Sequence, residues 1–169
     1  VRTCEVFGVQ TVHLIEEKYG KRLDAEIAMG AEKWVTTHRY PDTASSLEAL
    51  KAQGYRIVAT VPDEKATYLE DFDINHKSVF FFGTERKGLS QEVLLNADEL
   101  LTIPMVGFTQ SLNISVSVAI ILQYLTQKLR KSDLQWQLSA QEQLETRLQW
   151  TKNSIRSLSD ILSRYYSIQ

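Results

Sequence analysis

Short segments rich in β-branched and aromatic residues recur along this chain and alternate with stretches of helical spacing. That alternation constrains the fold more than any other feature. Thr11–Ile15 alternates and reads as a strand, and Lys33–Thr37 reads as a second. Tyr40-Pro41-Asp42 breaks the pattern, and Asp42 or Ser45 can cap a helix over Ser46–Gln53. Gly54 stands where a helix end favours positive φ. Tyr55–Val61 is a strand stopped by Pro62-Asp63, and Ser78–Gly83 has the composition of a buried one. A polar loop, Gly83–Gly88, follows, and Ser90 starts a short helix. Leu100–Ile103 is the next strand, ended by Pro104. Met105–Asn113 reads as a loop, and Ser111 or Asn113 can cap a long helix from Ile114 to Leu129. That helix is apolar nearly all round, which predicts a place inside the domain or in a subunit interface. The order of elements predicts an α/β domain with a mostly parallel sheet of roughly five or six strands.

A different pattern begins at Ser139, where Leu144, Leu148, Ile155, Leu158, Leu162 and Tyr165 fall at helical spacings. One or two helices are expected there, packed on the domain or on a partner subunit. The division expected is a domain over residues 1–131 and a helical tail over 132–169. Charge divides in nearly the same place. Residues 1–127 carry 12 Lys/Arg against 17 Asp/Glu, whereas residues 128–169 carry 7 against 4. A basic tail on an acidic body can touch a polyanion, or can simply be a solvated helix. Trp136 and Trp150 can stack on bases or pack in an interface.

With one cysteine, Cys4, neither an intrachain disulfide nor a cysteine metal cluster can form, as expected in a reducing compartment. His13, His38 and His76 have no metal-ligand spacing, so no metal is expected. The longest apolar stretch, Ile114–Leu125, is interrupted by Ser115, Ser117 and Gln123, so no membrane span is expected. No secretory signal is visible, and a cytoplasmic location is the expectation. The chain opens on Val1 and not on Met, directly within a motif, so further residues are expected upstream.

The usual phosphate signatures fail. Gly83-x4-Gly88 is followed by Leu89-Ser90, where a P-loop needs Lys and then Ser or Thr. No Gly-x-Gly-x-x-Gly follows the first strand, which argues against a dinucleotide fold. Three blocks remain: Arg2–Val9, Phe81–Ser90 and Ile103–Ser117. In order and spacing they resemble the three motifs of the SpoU/TrmH family of RNA 2′-O-methyltransferases, within the knotted SPOUT superfamily. The third block carries most of the likeness, because Pro104-Met-x-Gly107 followed by Ser111-Leu-Asn-x-Ser-Val116 is a specific combination. The resemblance spans residues 1 to about 130. Gly30–Trp34 and Gln110–Ser115 look closest to the branch that methylates a D-loop guanosine of tRNA.

The resemblance implies a deep trefoil knot, a homodimer, S-adenosyl-L-methionine as methyl donor and an RNA substrate, tRNA before others. The same chemistry on ribosomal RNA, or an RNA-binding module without catalysis, are the alternatives it leaves. By position it points to Thr60, Gly83, Ile103, Met105, Gly107 and Leu112 for the cofactor. Glycines and a proline turn would let the backbone approach that cofactor closely. Arg2 takes the central catalytic place, joined by Glu85, Ser111 and Asn113. A ribose hydroxyl is a poor nucleophile at neutral pH, so its proton must be removed or its developing charge stabilised. Arginine holds its own proton too tightly to be a comfortable base, so fixing a phosphate and stabilising the alkoxide is the simpler role for Arg2. Asn113 orients Arg2 or the RNA, or is only a helix cap. Glu85 lies near the cofactor, or is a solvated carboxylate. Thr84 stands where family members often have asparagine, and their asparagine upstream of the arginine would fall before Val1. Arg86 and Lys87, and then Lys128, Arg130 and Lys131, are the cations expected to meet RNA, although the last three also suit a helix C-terminus.

Overall fold

The computed structural model describes residues 1–15, 30–84 and 86–167. The first block is itself a short helix, α1 (Arg2–Val6), closed by Gly8 at φ 79°. Strand β1 (Thr11–Ile15) pairs in parallel with β2 (Thr36–Tyr40), His13 opposite His38. The second strand thus begins three residues later than its sequence suggests. Gly30 takes a left-handed conformation and opens a 3-10 turn over Ala31–Lys33, and Trp34 N–H closes it on the Ala31 carbonyl. Extended pairing starts only at Thr36, whose N–H donates to Gln10.

Helix α2 (Thr43–Ala52) starts at Thr43 and not at Ser46. The Asp42 carboxylate settles this by accepting the Ser45 N–H at 2.7 Å, which makes Asp42 the cap. Gly54, at φ 77°, turns the chain into β3 (Arg56–Thr60). A two-residue strand, β4 (Thr67–Tyr68), and a 3-10 turn over Leu69–Asp71 follow. Then come β5 (Ser78–Phe81), α3 (Gln91–Asn96) capped by Ser90, and β6 (Glu99–Thr102). Helix α4 (Ile114–Arg130) is capped by Asn113, not Ser111. Helices α5 (Ala140–Ser154) and α6 (Leu158–Tyr166) complete the chain. Ser139 and Glu142 form a reciprocal cap at the start of α5, and Ser157, at φ 54°, separates the two.

The strand pairing is all parallel among the described residues, in two groups and not one sheet: β1-β2, and a four-stranded sheet ordered β4-β6-β3-β5. β3 sits between β5 and β6 and is apolar on both faces, as a central parallel strand must be. Ile57 and Ala59 pack with Leu47 and Leu50 of α2, Phe81 and Val93. Val58 points the other way, into Leu69, Phe72, Leu101, and Ile121 and Leu125 of α4. The sheet is therefore a middle layer, with α2 and α3 on one side and α4 on the other. Arg56 and Glu99 pair at 2.8 Å at its amino-terminal edge, and Asp98 accepts the Ile57 N–H at 2.7 Å. Because the strands run the same way, Thr60, Phe81 and Thr102 end together at the opposite edge.

Candidate active site

Chain connections diverge beyond the carboxyl ends of β3, β5 and β6, where an open parallel sheet leaves a crevice. Here the crevice is a cleft of about 280 Å³. Thr60 lines it from β3, Gly83 and Thr84 from the loop after β5, and Ile103, Met105, Ser111 and Leu112 from the loop after β6. Phe82, Leu101 and Ile121 supply apolar wall. Segments more than forty residues apart in sequence thus converge.

Each loop has a physical reason for its shape. Thr60 Oγ1 donates to the Phe81 carbonyl oxygen at 2.8 Å and ties two strand ends together. At Gly83 an added Cβ would lie 2.1 Å from the Gly88 carbonyl carbon and 2.3 Å from Leu89 N, so only glycine fits. Thr84 and Gly88 exchange backbone hydrogen bonds at 3.1 and 2.8 Å, and Thr84 Oγ1 accepts the Lys87 N–H at 3.2 Å. The loop is therefore a closed turn that carries Arg86 and Lys87 on the surface beside the cleft. Among the described residues, no backbone hydrogen bond joins Met105–Leu112 to the rest of the chain, which leaves its amides and carbonyls available to a ligand or to water. Unpaired peptide groups beside an apolar wall suit a ligand with an aromatic base and a polar tail.

Residues 1–123 match the SpoU rRNA Methylase family. The chain belongs to that family. The tRNA (guanosine(18)-2′-O)-methyltransferase of Borreliella burgdorferi is 41% identical to this SpoU chain over 157 residues, 93% of this chain and 72% of that protein. The protein of the same name from Escherichia coli K12 is 34% identical over 132 residues, 78% of this chain and 57% of that one. The chain therefore spans little more than half of that second relative. Among solved structures, the TrmH/SpoU tRNA modifying enzyme of A. aeolicus superposes with a TM-score of 0.79 at 28% identity, covering 92% of this chain and 81% of the other.

Not every residue singled out in the SpoU motifs stands at the cleft. Gly107 does not line it, and space around that glycine is open. Asn113 is flanked by Leu112 and Ile114, which do line it, but its Oδ1 is taken by the Ser115 N–H at 2.8 Å. Arg2 is exposed on α1, which packs against α4 and the Ala31–Lys33 turn, and it does not line the cleft of its own chain. Glu85 lies outside the described residues. Lys128 has another occupation: its ammonium donates to the Phe72 and Glu70 carbonyls at 2.8 and 3.1 Å, fastening α4 to the Leu69–Asp71 turn. Arg130 donates to the Phe7 carbonyl at 3.2 Å and, with Lys131, lines a second cleft of about 270 Å³ beside Phe7. Trp150 packs against Trp34 and donates to its carbonyl, so its indole is engaged within the chain.

Sequence reasoning missed Thr84, noted there only as a departure from asparagine. Its signal was available: a threonine three residues before Lys87 can close a turn through its hydroxyl. It also missed Pro62 and Thr102, which line the cleft simply by following or ending the strands that build it, and Gln110, quoted there only for its family likeness, lines it too.

Proposed function

We propose that this chain transfers a methyl group from S-adenosyl-L-methionine to the ribose 2′-hydroxyl of a guanosine in tRNA. The observation that carries the reading is the convergence of Thr60, Gly83, Ile103, Met105, Ser111 and Leu112 on one cleft at the carboxyl ends of parallel strands. When bound, the donor supplies an electrophilic sulfonium methyl. The chain's own part is to seat the adenosine against Ile103, Leu112 and the unpaired peptide groups of the Met105–Leu112 loop, and to exclude water with Phe82, Leu101 and Ile121. Ser111 stands at the cleft to receive the ribose, and Asn113 keeps its amide nitrogen for the substrate while its oxygen caps α4. The names borne by the Borreliella and Escherichia relatives support the guanosine of tRNA as the target. A cytoplasmic location accords with that substrate.

We read the catalytic guanidinium as supplied by another copy of the chain. Arg2 lies on α1, outside the cleft of its own chain. Meanwhile Val106 and Phe108 of the cleft loop stand fully in solvent, and Val116 and Ile120 expose one face of α4. We read this apolar surface as the seat of a second subunit, whose Arg2 meets the 2′-hydroxyl and a neighbouring phosphate. Arg86 and Lys87, with Arg130 and Lys131, then supply cations along the RNA path. The sheet order inserts β6 between β4 and β3, and the loop after β6 shares the cleft with the loop after β5. With that order we place a deep trefoil knot near the C-terminal part of the 1–131 domain, and 132–169 as the added helical tail.

Transfer of tritiated methyl from the donor to unmodified tRNA, followed by mapping of the labelled nucleotide, tests the reading. A ribose-labelled guanosine is expected. Label on base atoms alone, or none with a chain that binds the donor, refutes it. Light scattering should give twice the chain mass, and Phe108→Asp should return it to one.

A further inference from the structure

Helix α5 reaches the segment that carries Arg2 through a single turn of backbone. The Trp150 ring N–H donates to the Trp34 carbonyl oxygen at 3.0 Å, and the two indoles meet edge to face with centroids 5.7 Å apart. One turn further along α5, Asn153 Nδ2 donates to the Lys33 carbonyl oxygen at 3.1 Å. Lys33 and Trp34 end the 3-10 turn that Gly30 opens. Carbonyls at the end of a helical turn have no partner within it, and here two side chains from more than a hundred residues away satisfy them.

The capped turn is in turn a support for α1. It packs against Arg2–Val6 from one side, while α4 packs against the same helix from another and Arg130 holds the Phe7 carbonyl at 3.2 Å. Helix α1 has only five residues and buries none of its side chains fully, so it cannot hold its own orientation. Its direction is set by these two supports. One of them is the turn whose end α5 secures.

We infer that Trp150 and Asn153 are positioning residues for Arg2, acting through the Ala31–Lys33 turn on α1. Helix α5 is then part of the methyl-transfer machinery and not an arm that binds RNA. The indole N–H of Trp150 is spent on the Trp34 carbonyl, and the ring meets Trp34 edge to face. The inference rests on the role proposed above for Arg2.

The test compares the full chain with a double variant, Trp150→Phe with Asn153→Ala, which keeps an aromatic ring but removes both donors. Hydrogen exchange should quicken at Ala31–Trp34 and at Arg2–Phe7, with β3 and α4 unchanged. Donor affinity by calorimetry and KM for tRNA should stay within about twofold, while kcat falls roughly tenfold or more, since a reacting group misplaced by about 1 Å costs up to a hundredfold. Unchanged exchange across Arg2–Phe7 would overturn the inference, as would an unchanged kcat. So would a raised KM with weaker salt dependence and full kcat, which would make α5 an RNA-binding arm. Should the double variant lose donor binding altogether, Asn153→Ala alone gives the same exchange readout from an exposed position. Arg2→Ala, assayed alongside, separates the two claims: if it keeps full kcat, the role of Arg2 fails whatever exchange shows, and the mechanical link is judged on exchange alone.

Discussion

Thr60 and Phe81 fasten two strand ends at the cleft, the threonine hydroxyl donating to the phenylalanine carbonyl at 2.8 Å. Both residues lie at the carboxyl ends of their strands, and Gly83 follows two residues later. Thr60→Val keeps the shape and deletes the donor, leaving the Phe81 carbonyl without that partner. A loss of about 1 kcal/mol in stability is expected. Donor affinity should fall as well, because the Gly83 loop loses its anchor. Thr60→Ser should restore both, as read by thermal melting and calorimetry.

Two glycines of the motifs should respond oppositely to the same change. A Cβ at Gly83 would collide with the backbone of Gly88 and Leu89, which cannot yield without opening the turn. Gly83→Ala should therefore abolish measurable donor binding. At Gly107 nothing lies within 4 Å of an added Cβ. Gly107→Ala should leave donor affinity within about twofold, a difference under half a kcal/mol. Calorimetric titration of both variants checks the pair.

Lysines that look alike in the sequence should behave differently toward RNA. Lys128 is committed to the Glu70 and Phe72 carbonyls, whereas Lys87 and Lys131 are exposed cations near the two clefts. Lys128→Met should lower stability by about 1–3 kcal/mol, the cost of stranding polar groups, and leave the salt dependence of tRNA binding unchanged. Lys87→Ala should do the reverse, weakening tRNA binding and reducing the slope of log K against log salt by roughly one unit. Filter binding across a salt series distinguishes them.

Much of this was legible in the sequence, for reasons that also mark the limit. The run Tyr55–Val61 and the helix from Ile114 announce themselves by composition and period, and the structure places β3 and α4 within a residue or so of those spans. The cleft residues were legible through the resemblance of Phe81–Ser90 and Ile103–Ser117 to the family's motifs, which fall in loops at the ends of parallel strands. Whatever depends on a partner distant in the chain was not. Thr67-Tyr68 becomes a strand only because Leu101 and Thr102 pair with it. The shift of β2 from Lys33 to Thr36 follows from the conformation of Gly30, and no periodicity records that. Nor does any pattern reveal that Lys128 is occupied, that Trp150 bonds to Trp34, or that Arg2 stands away from its own cleft.

The pairing of β1 with β2 stacks two imidazoles, and this makes stability depend on pH. His13 and His38 lie opposite each other with ring centroids 5.3 Å apart, and His13 Nδ1 is 3.2 Å from the Tyr40 hydroxyl. Tyr55, with Lys77 above its ring, closes the site from the side. Burial, and then the charge of His38, hold the His13 imidazole below its ordinary value of 6.5. A group whose folded pKa is depressed in this way binds its proton more readily when the chain is unfolded. Stability contributed by neutral His13 is therefore complete above pH 6.5 and declines as pH falls below it, toward the lower folded value. Melting temperatures should drop from pH 7 toward pH 5, and His13→Phe should flatten that part of the profile. A His38→Asn variant should flatten it less, since removing the neighbouring charge leaves the burial of His13 in place. If the wild-type profile is already flat across this range, the stacked pair carries no linked proton and this account of β1-β2 is wrong.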